Sequence, residues 1–173
     1  MVARQHPREV AVWAALAEVT DPEIPTVGLV DLGVIGGIAF GPRADGGERL
    51  TVDLLPTFVG CPAVEVMREQ IGQRLSALGV ADEVVVHVSF VEPWTSERIT
   101  PAGREALRQS GFAPPPTGIS FGQGEQLTVL PIATCPYCGS SRTTLENPFG
   151  PTLCRAIYHC GDCLQPFEQF KAV

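Results

Sequence analysis

The sequence predicts an α+β fold: a two-layer α/β domain with one small mixed sheet, followed by a small all-β ribbon. Three observations predict it. Apolar residues recur at helical spacing in two separate segments. Short apolar or alternating runs lie between and after them. Two Cys-x-x-Cys pairs stand near the C-terminus.

Residues 8–19 (REVAVWAALAEV) read as a helix, with Val12, Leu16 and Val19 on one face. Asp21-Pro22 ends it, because proline disfavours helix in the residue before it. Asp21-Pro22-Glu23-Ile24-Pro25 is then a loop of fixed shape. Val34–Phe40 and Leu50–Leu55 read as strands, and the turn-like Gly41–Gly47 between them makes a hairpin. A second helix opens at Cys61-Pro62, since proline suits a first helical position that needs no amide donor. Val64, Met67, Ile71, Leu75 and Leu78 form its buried stripe. Gly79 closes it. Val84–Phe90 reads as a third strand and Pro101–Gln109 as a short helix ended by Gly111. Helices and strands in this order suit one small sheet with helices packed on it.

The chain has 173 residues, 18 of them glycine and 16 proline, and a formal net charge of -7. No cluster of Lys and Arg is present to neutralise phosphates, so a nucleic-acid partner is not expected. No secretory signal is read at the start, and no window reaches the roughly 18 apolar residues that span a bilayer. A cytoplasmic protein with no membrane partner is expected. Six cysteines in a reducing compartment point to metal or catalysis before disulfides.

Cys135-Pro136-Tyr137-Cys138-Gly139 and Cys160-Gly161-Asp162-Cys163 are two knuckles, each folding the backbone so that two sulfurs face one ion. Glycine after or within a knuckle permits the tight, positive-φ turn. Twenty-one residues separate the pairs, enough for a hairpin with strands such as Thr143–Leu145 and Ala156–Tyr158. Four sulfurs complete a tetrahedral structural zinc site, so Zn2+ held by Cys135, Cys138, Cys160 and Cys163 is the expected cofactor. Four cysteines also hold iron, the competing metal. A closed four-cysteine site has no position open to substrate, so the ribbon is structural or adhesive. Residues 129–173 carry three basic residues (Arg142, Arg155, Lys171) and three acidic ones (Glu146, Asp162, Glu168), which favours a protein partner for it.

Cys61 leaves a strand and enters a helix. Unpaired amides and partial positive charge at such a position favour thiolate, so it is a candidate nucleophile or soft-metal ligand, or else a small buried residue. Cys154 is a spare beside the four metal ligands: a packed apolar residue or a second reactive thiol. His6, His87 and His159 each stand alone and read as structural. No Ser-His-Asp order, phosphate-binding loop or dinucleotide fingerprint is present. The absence of any Glu-x-x-His excludes a diiron bundle site in this chain.

Asp21-Pro22-Glu23-Ile24-Pro25, Val30-Asp31-Leu32-Gly33, Thr57 through Cys61-Pro62, and Pro93-Trp94-Thr95 resemble the markers of the small iron–sulfur assembly domain of the SufT and MIP18-like type. A longer set is similar to the PaaD family: Pro56-Thr57, Gly60-Cys61-Pro62-Ala63, Glu92-Pro93-Trp94-Thr95, Ile99 and Gly103-Arg104. It continues through the ribbon with Asn147 to Arg155 and Pro166 to Lys171. Members of that family are small subunits of the phenylacetyl-CoA oxygenase, or 1,2-phenylacetyl-CoA epoxidase, system. Glu92 departs from the proline that many assembly domains carry before Pro93-Trp94.

The resemblance implies an iron–sulfur-assembly-like domain over 1–112, a linker over 113–128 and a zinc ribbon over 129–173. It implies an accessory, non-catalytic subunit in aerobic phenylacetate catabolism that matures or maintains an iron–sulfur or iron centre. Iron or a cluster would be held only transiently. Cys61 matches the family's key thiol, with Thr57, Asp21 and Glu23 in the same motif set and Cys154 as a possible second thiol. The partners implied are the other oxygenase subunits, the iron–sulfur reductase subunit first. The alternative is a scaffolding zinc-ribbon subunit without thiol chemistry.

Overall fold

The computed structural model describes residues 6–58, 60–117 and 132–171. The chain divides into two compact units, the first running to Trp94 and the second beginning at Thr95.

In the first unit, helix α1 spans Pro7–Leu16. His6 caps it: its Nδ1 accepts from the Arg8 amide at 3.4 Å, and the Glu9 carboxylate reaches back to the His6 amide. This reciprocal pair satisfies amides that the first turn cannot. The helix stops at Leu16 rather than Val19, but Val19 is still buried, carried inward by the following turn. Strands β1 (Ile35–Pro42) and β2 (Glu48–Leu54) form the expected antiparallel hairpin. Helix α2 (Ala63–Leu78) follows, then strand β3 (Glu83–Val88), which pairs parallel to β2. The sheet is therefore mixed, in the order β1-β2-β3.

Leu50, Val52 and Leu54 alternate inward along β2 and are fully buried. Val12, Ala15 and Leu16 of α1 and Ala63, Met67, Ile71 and Leu75 of α2 supply the helical faces. The 3.6-residue period of these positions is what the sequence displays. Ile24, Val27, Leu29, Leu32 and Val34 complete the core from the loop before β1. The α2 stripe is truncated by Gly79, whose φ of 65° ends the helix in the left-handed region.

In the second unit a 3-10 turn (Ser96–Arg98) leads to α3 (Pro101–Gln109). Thr100 caps α3, its hydroxyl accepting from the Gly103 amide at 3.0 Å. Thr100→Ala is expected to destabilise this unit by about 1 kcal/mol, read as a shift in its denaturant midpoint. Gly111, at φ 83°, turns the chain into the two-residue strand β4 (Phe112–Ala113). That left-handed conformation favours glycine, and a Cβ there would also have to displace the exposed Tyr137 hydroxyl, which would lie 2.7 Å away.

β5 (Thr143–Asn147), β6 (Arg155–Cys160) and β7 (Pro166–Phe170) make the ribbon, and β4 adds to it, giving the order β4-β7-β6-β5. Ala113, expected as the first linker residue, is thus a strand residue paired with Gln169. Residues 118–128 of the expected linker lie outside the described residues. The ribbon's core gathers Ala113, Ala133, Ala156, Tyr158 and Phe167 around Cys135 and Cys160. Tyr158 and Phe167 stack at 5.7 Å between ring centroids. Burial pushes the Tyr158 phenol above its ordinary pKa.

Candidate metal centre and thiol site

The two knuckles converge. Sγ atoms of Cys135, Cys138, Cys160 and Cys163 all lie within 4.8 Å of one another. Cys135 and Cys163 are 3.6 Å apart, as are Cys138 and Cys160. A tetrahedral zinc with bonds of about 2.3 Å requires sulfurs about 3.8 Å apart, whereas a disulfide requires about 2.05 Å. The donor set therefore fits one four-coordinate ion held by all four thiolates. When bound, zinc supplies a fixed positive charge and a tetrahedral template, with no coordination position left for chemistry.

Each knuckle is a backbone turn. In the first, the Gly139 amide donates to the Cys135 carbonyl at 2.9 Å and Cys135 donates to Ser140. Gly139 takes φ 75° there. In the second, Leu164 donates to the Cys160 carbonyl at 3.0 Å and Cys160 donates to Gln165. The positive φ, 58°, falls on Leu164 and not on Gly161, contrary to the expectation that a knuckle glycine would take it. Gly161 instead binds the Arg142 carbonyl. A side chain in the left-handed region costs roughly 1–2 kcal/mol. Leu164 is exposed, so Leu164→Gly is expected to raise the ribbon's stability by about 1 kcal/mol, seen as slower zinc release to a chelator. Asp162 accepts from Ser140 and pairs with Arg142, tying the second knuckle to the first.

Four thiols this close cannot all ionise without a cation. The backbone amide of Cys163 draws the Cys160 thiol down to about 7. At Cys163 the Gln165 amide also favours thiolate, but burial and the three neighbouring sulfurs outweigh it and push that thiol up to about 12. A divalent ion resolves the conflict by stabilising all four charges together.

Arg155, the first residue of β6, is buried, paired with Glu168 at 3.2 Å and lying over the Phe112 ring at 5.0 Å. Cys154 is buried as well, with Sγ 3.1 Å from the Thr152 hydroxyl. Its carbonyl accepts from the Lys171 amide at 2.8 Å. The Lys171 ammonium binds the Leu153 carbonyl and stands over the exposed Phe149 ring at 5.0 Å. Burial lowers its pKa.

Cys61 belongs to the first unit and is half-buried. Helix α2 starts at Ala63, with Pro62 as its N-cap, so Cys61 precedes the helix instead of opening it. Pro62 has φ -66° and ψ -23°, already helical, and no side chain caps this end. The Cys61 amide donates to Phe58 and its carbonyl accepts from Val64, both at 3.3 Å, which sets Cys61 between two successive backbone turns. Gly60, at φ 82°, lies in the first of them. Thr57, half-buried, lies on the same loop.

Because β2 and β3 run parallel, the loop carrying Thr57 and Cys61 and the segment 89–94 leave the same end of the sheet. Trp94 anchors the second of these: its Nε1 donates to the Leu32 carbonyl at 2.8 Å inside the core. Asp21 shapes its own loop, Oδ1 accepting from the amides of Glu23 and Ile24 at 2.8 and 2.9 Å. The conformation of Asp21-Pro22-Glu23 follows from that turn, and Glu23 is exposed. The exposed apolar residues Phe58, Phe90 and Val91 were not singled out by sequence. Only the parallel register shows that they flank the end of the sheet where Cys61 stands.

An α/β domain with one half-buried thiol before a helix, joined to a closed four-thiolate ribbon, defines an iron–sulfur assembly type of protein with a zinc ribbon. Residues 9–88 match the family described as "Iron-sulfur cluster assembly protein", and residues 123–171 match the "PaaD zinc beta ribbon domain". The chain belongs to the PaaD family. It is 35% identical over 94% of its length, and 92% of the relative's, to a protein of Escherichia coli (strain K12) named as a component of 1,2-phenylacetyl-CoA epoxidase. It is 28% identical, over 56% of this chain and 89% of the other, to the Fe-S protein maturation auxiliary factor YitW of Bacillus subtilis (strain 168). The crystal structure of a domain of unknown function, DUF59, from Bacillus anthracis superposes with a TM-score of 0.50 at 26% identity. That superposition covers 58% of this chain and 91% of the other. Among the described residues, no helix is long and apolar enough to cross a membrane.

Proposed function

We propose that this chain is a non-catalytic accessory subunit of a cytoplasmic phenylacetyl-CoA oxygenase system, and that it matures or maintains an iron–sulfur or iron centre of that complex. The observation that carries this reading is the separation of two kinds of thiol. Four sulfurs are committed to one closed site, while Cys61 stands on a loop of the assembly-type unit at the carboxyl end of parallel strands. Open sheets present ligands at that end. A thiol there serves as a soft ligand for iron in transit, with Thr57 on the same loop and the Asp21–Glu23 turn in the same motif set.

Phe58, Phe90 and Val91 support a docked client, since exposed apolar residues around a site favour protein contact. The kinship with a component of an epoxidase and with a maturation factor supports the pathway and the role. The iron–sulfur reductase subunit is the client this chemistry suits best. Cys154, buried against Thr152, is assigned a packing role.

Cys61→Ser tests the proposal. The variant is expected to fold, to keep about one zinc per chain, and to abolish growth on phenylacetate together with cluster loading of the reductase subunit. Normal growth would refute the role of the thiol and leave a scaffolding subunit, which co-purifies with the complex and tolerates the change.

A further inference from the structure

The charge of this chain is sorted between its units. The first unit holds thirteen acidic residues against six arginines and no lysine, so it carries the whole net charge of -7. Its arginines lie away from the thiol loop. Arg8 pairs with Glu48, Arg43 with Asp45 and Arg49 with Glu83, in the β1–β2 turn or at the start of β2 and β3. Arg68 and Arg74 lie along α2, paired with Glu65 and Glu18.

The segments 19–34, 55–62 and 89–94 meet at the other end of the sheet. There the Leu55 amide donates to the Val34 carbonyl at 2.7 Å, and the Trp94 indole donates to the Leu32 carbonyl. Together these segments carry Asp21, Glu23, Asp31 and Glu92, and no lysine, arginine or histidine. Phe90 and Val91 stand on the last segment, 57% and 93% exposed. That segment is held at both ends, by the Ser89 amide on the Leu54 carbonyl at 2.9 Å and by Trp94 in the core. A fixed backbone thus keeps two large apolar side chains in solvent, and a preformed contact surface loses little freedom on binding.

The sign of this face decides what it accepts. Nucleic acid and other polyanions are repelled. A second copy presenting the same end is repelled as well, since a two-fold axis sets like charge against like. A lone cation is not the match either. Among the described residues, the only group of three or more histidine, cysteine or acidic side chains close enough to hold one ion is the four ribbon cysteines. Phe90 and Val91 directly precede Glu92, so apolar and acidic groups share one surface. An apolar contact with a polar rim is the layout of a protein interface.

We propose that this end of the first unit docks a protein whose own face carries lysine and arginine around an apolar centre. This rests on the reading of Cys61 as facing a client, and adds the chemistry by which that client is recognised. Its cations are steered toward the carboxylates, and its apolar side chains cover Phe90 and Val91.

The affinity of the full-length protein for each purified oxygenase subunit tests this. One subunit is expected to bind, with a Kd that rises roughly tenfold between about 0.05 M and about 0.3 M salt. Glu23→Lys with Glu92→Lys is expected to weaken binding roughly tenfold at the lower salt, chiefly through slower association. Asp45→Lys, in the β1–β2 turn at the far end, is expected to leave it unchanged. Phe90→Ala is expected to weaken binding roughly tenfold at both salt concentrations. Cys61→Ser is expected to keep the wild-type affinity, so docking and the role of the thiol stand or fall separately. Should the doubly reversed variant misfold, the salt series on the wild-type protein still decides. Binding that is indifferent to salt, a wild-type Kd in the doubly reversed variant or in Phe90→Ala, or no binding by any subunit would overturn the proposal.

Discussion

Cys160→Ser is expected to strip the metal from the ribbon and unfold it. Cys160 is fully buried, ends β6, and packs in the ribbon core with Ala156 and Tyr158 of the same strand. A serine oxygen is a poor fourth partner for an ion that the remaining three thiolates bind. Structural zinc contributes on the order of 10–16 kcal/mol of binding free energy in small modules. The ribbon's own apolar core is a handful of residues, so loss of even part of that energy is decisive. Zinc measured by mass spectrometry should fall from about one per chain to near zero. Protease should then cut residues 132–171 while the first unit keeps its sheet. The same outcome is expected for the wild-type protein in strong chelator. Full zinc content in the Cys160→Ser protein, or a ribbon that resists protease without metal, would overturn the assignment of the site.

Trp94→Ala is expected to destabilise the first unit by about 3–5 kcal/mol, the range for deleting a buried aromatic side chain. Trp94 is 3% exposed and ends the segment that follows β3. Its indole fills the core beside the loop before β1 and donates to the Leu32 carbonyl at 2.8 Å. Trp94→Phe keeps most of the volume and loses the hydrogen bond, so it should cost about 1–3 kcal/mol through the unmet carbonyl. Urea midpoints of the two variants separate the terms. Equal losses would mean that the bond, and not the ring, holds the loop.

Much of this arrangement was legible in the residues. The metal cluster was, because ligand spacing constrains it more tightly than propensity does: four cysteines in two pairs leave few alternatives. The α2 stripe was, because Met67, Ile71 and Leu75 mark one helical face and Gly79 stops it. The hairpin was, because Leu50, Val52 and Leu54 alternate. What escaped was non-local. The pairing of β4 with β7 joins residues more than fifty positions apart through a two-residue strand, too short for any period to show. The positive φ at Leu164 escaped because the glycine rule pointed to Gly161, whose amide is engaged by the Arg142 carbonyl instead. Cys61 was placed at the helix start instead of before it, since the tripeptide Gly60-Cys61-Pro62 reads equally as a loop end and as a helix opening. The apolar residues Phe58, Phe90 and Val91 gain meaning only from the parallel pairing of β2 and β3.

The strand pairing at the ribbon's margin bears on how this protein can be divided. A truncation beginning at residue 129 encodes β5, β6 and β7 but omits Phe112 and Ala113, and so uncovers the backbone of β7 at Glu168 and Gln169. Such a fragment would also lack the aromatic ring over the Arg155 guanidinium. Recombinant pieces intended to capture the metal-bearing part alone should therefore start at Thr95, with α3 and its cap included. Those that start later should self-associate through the stripped margin.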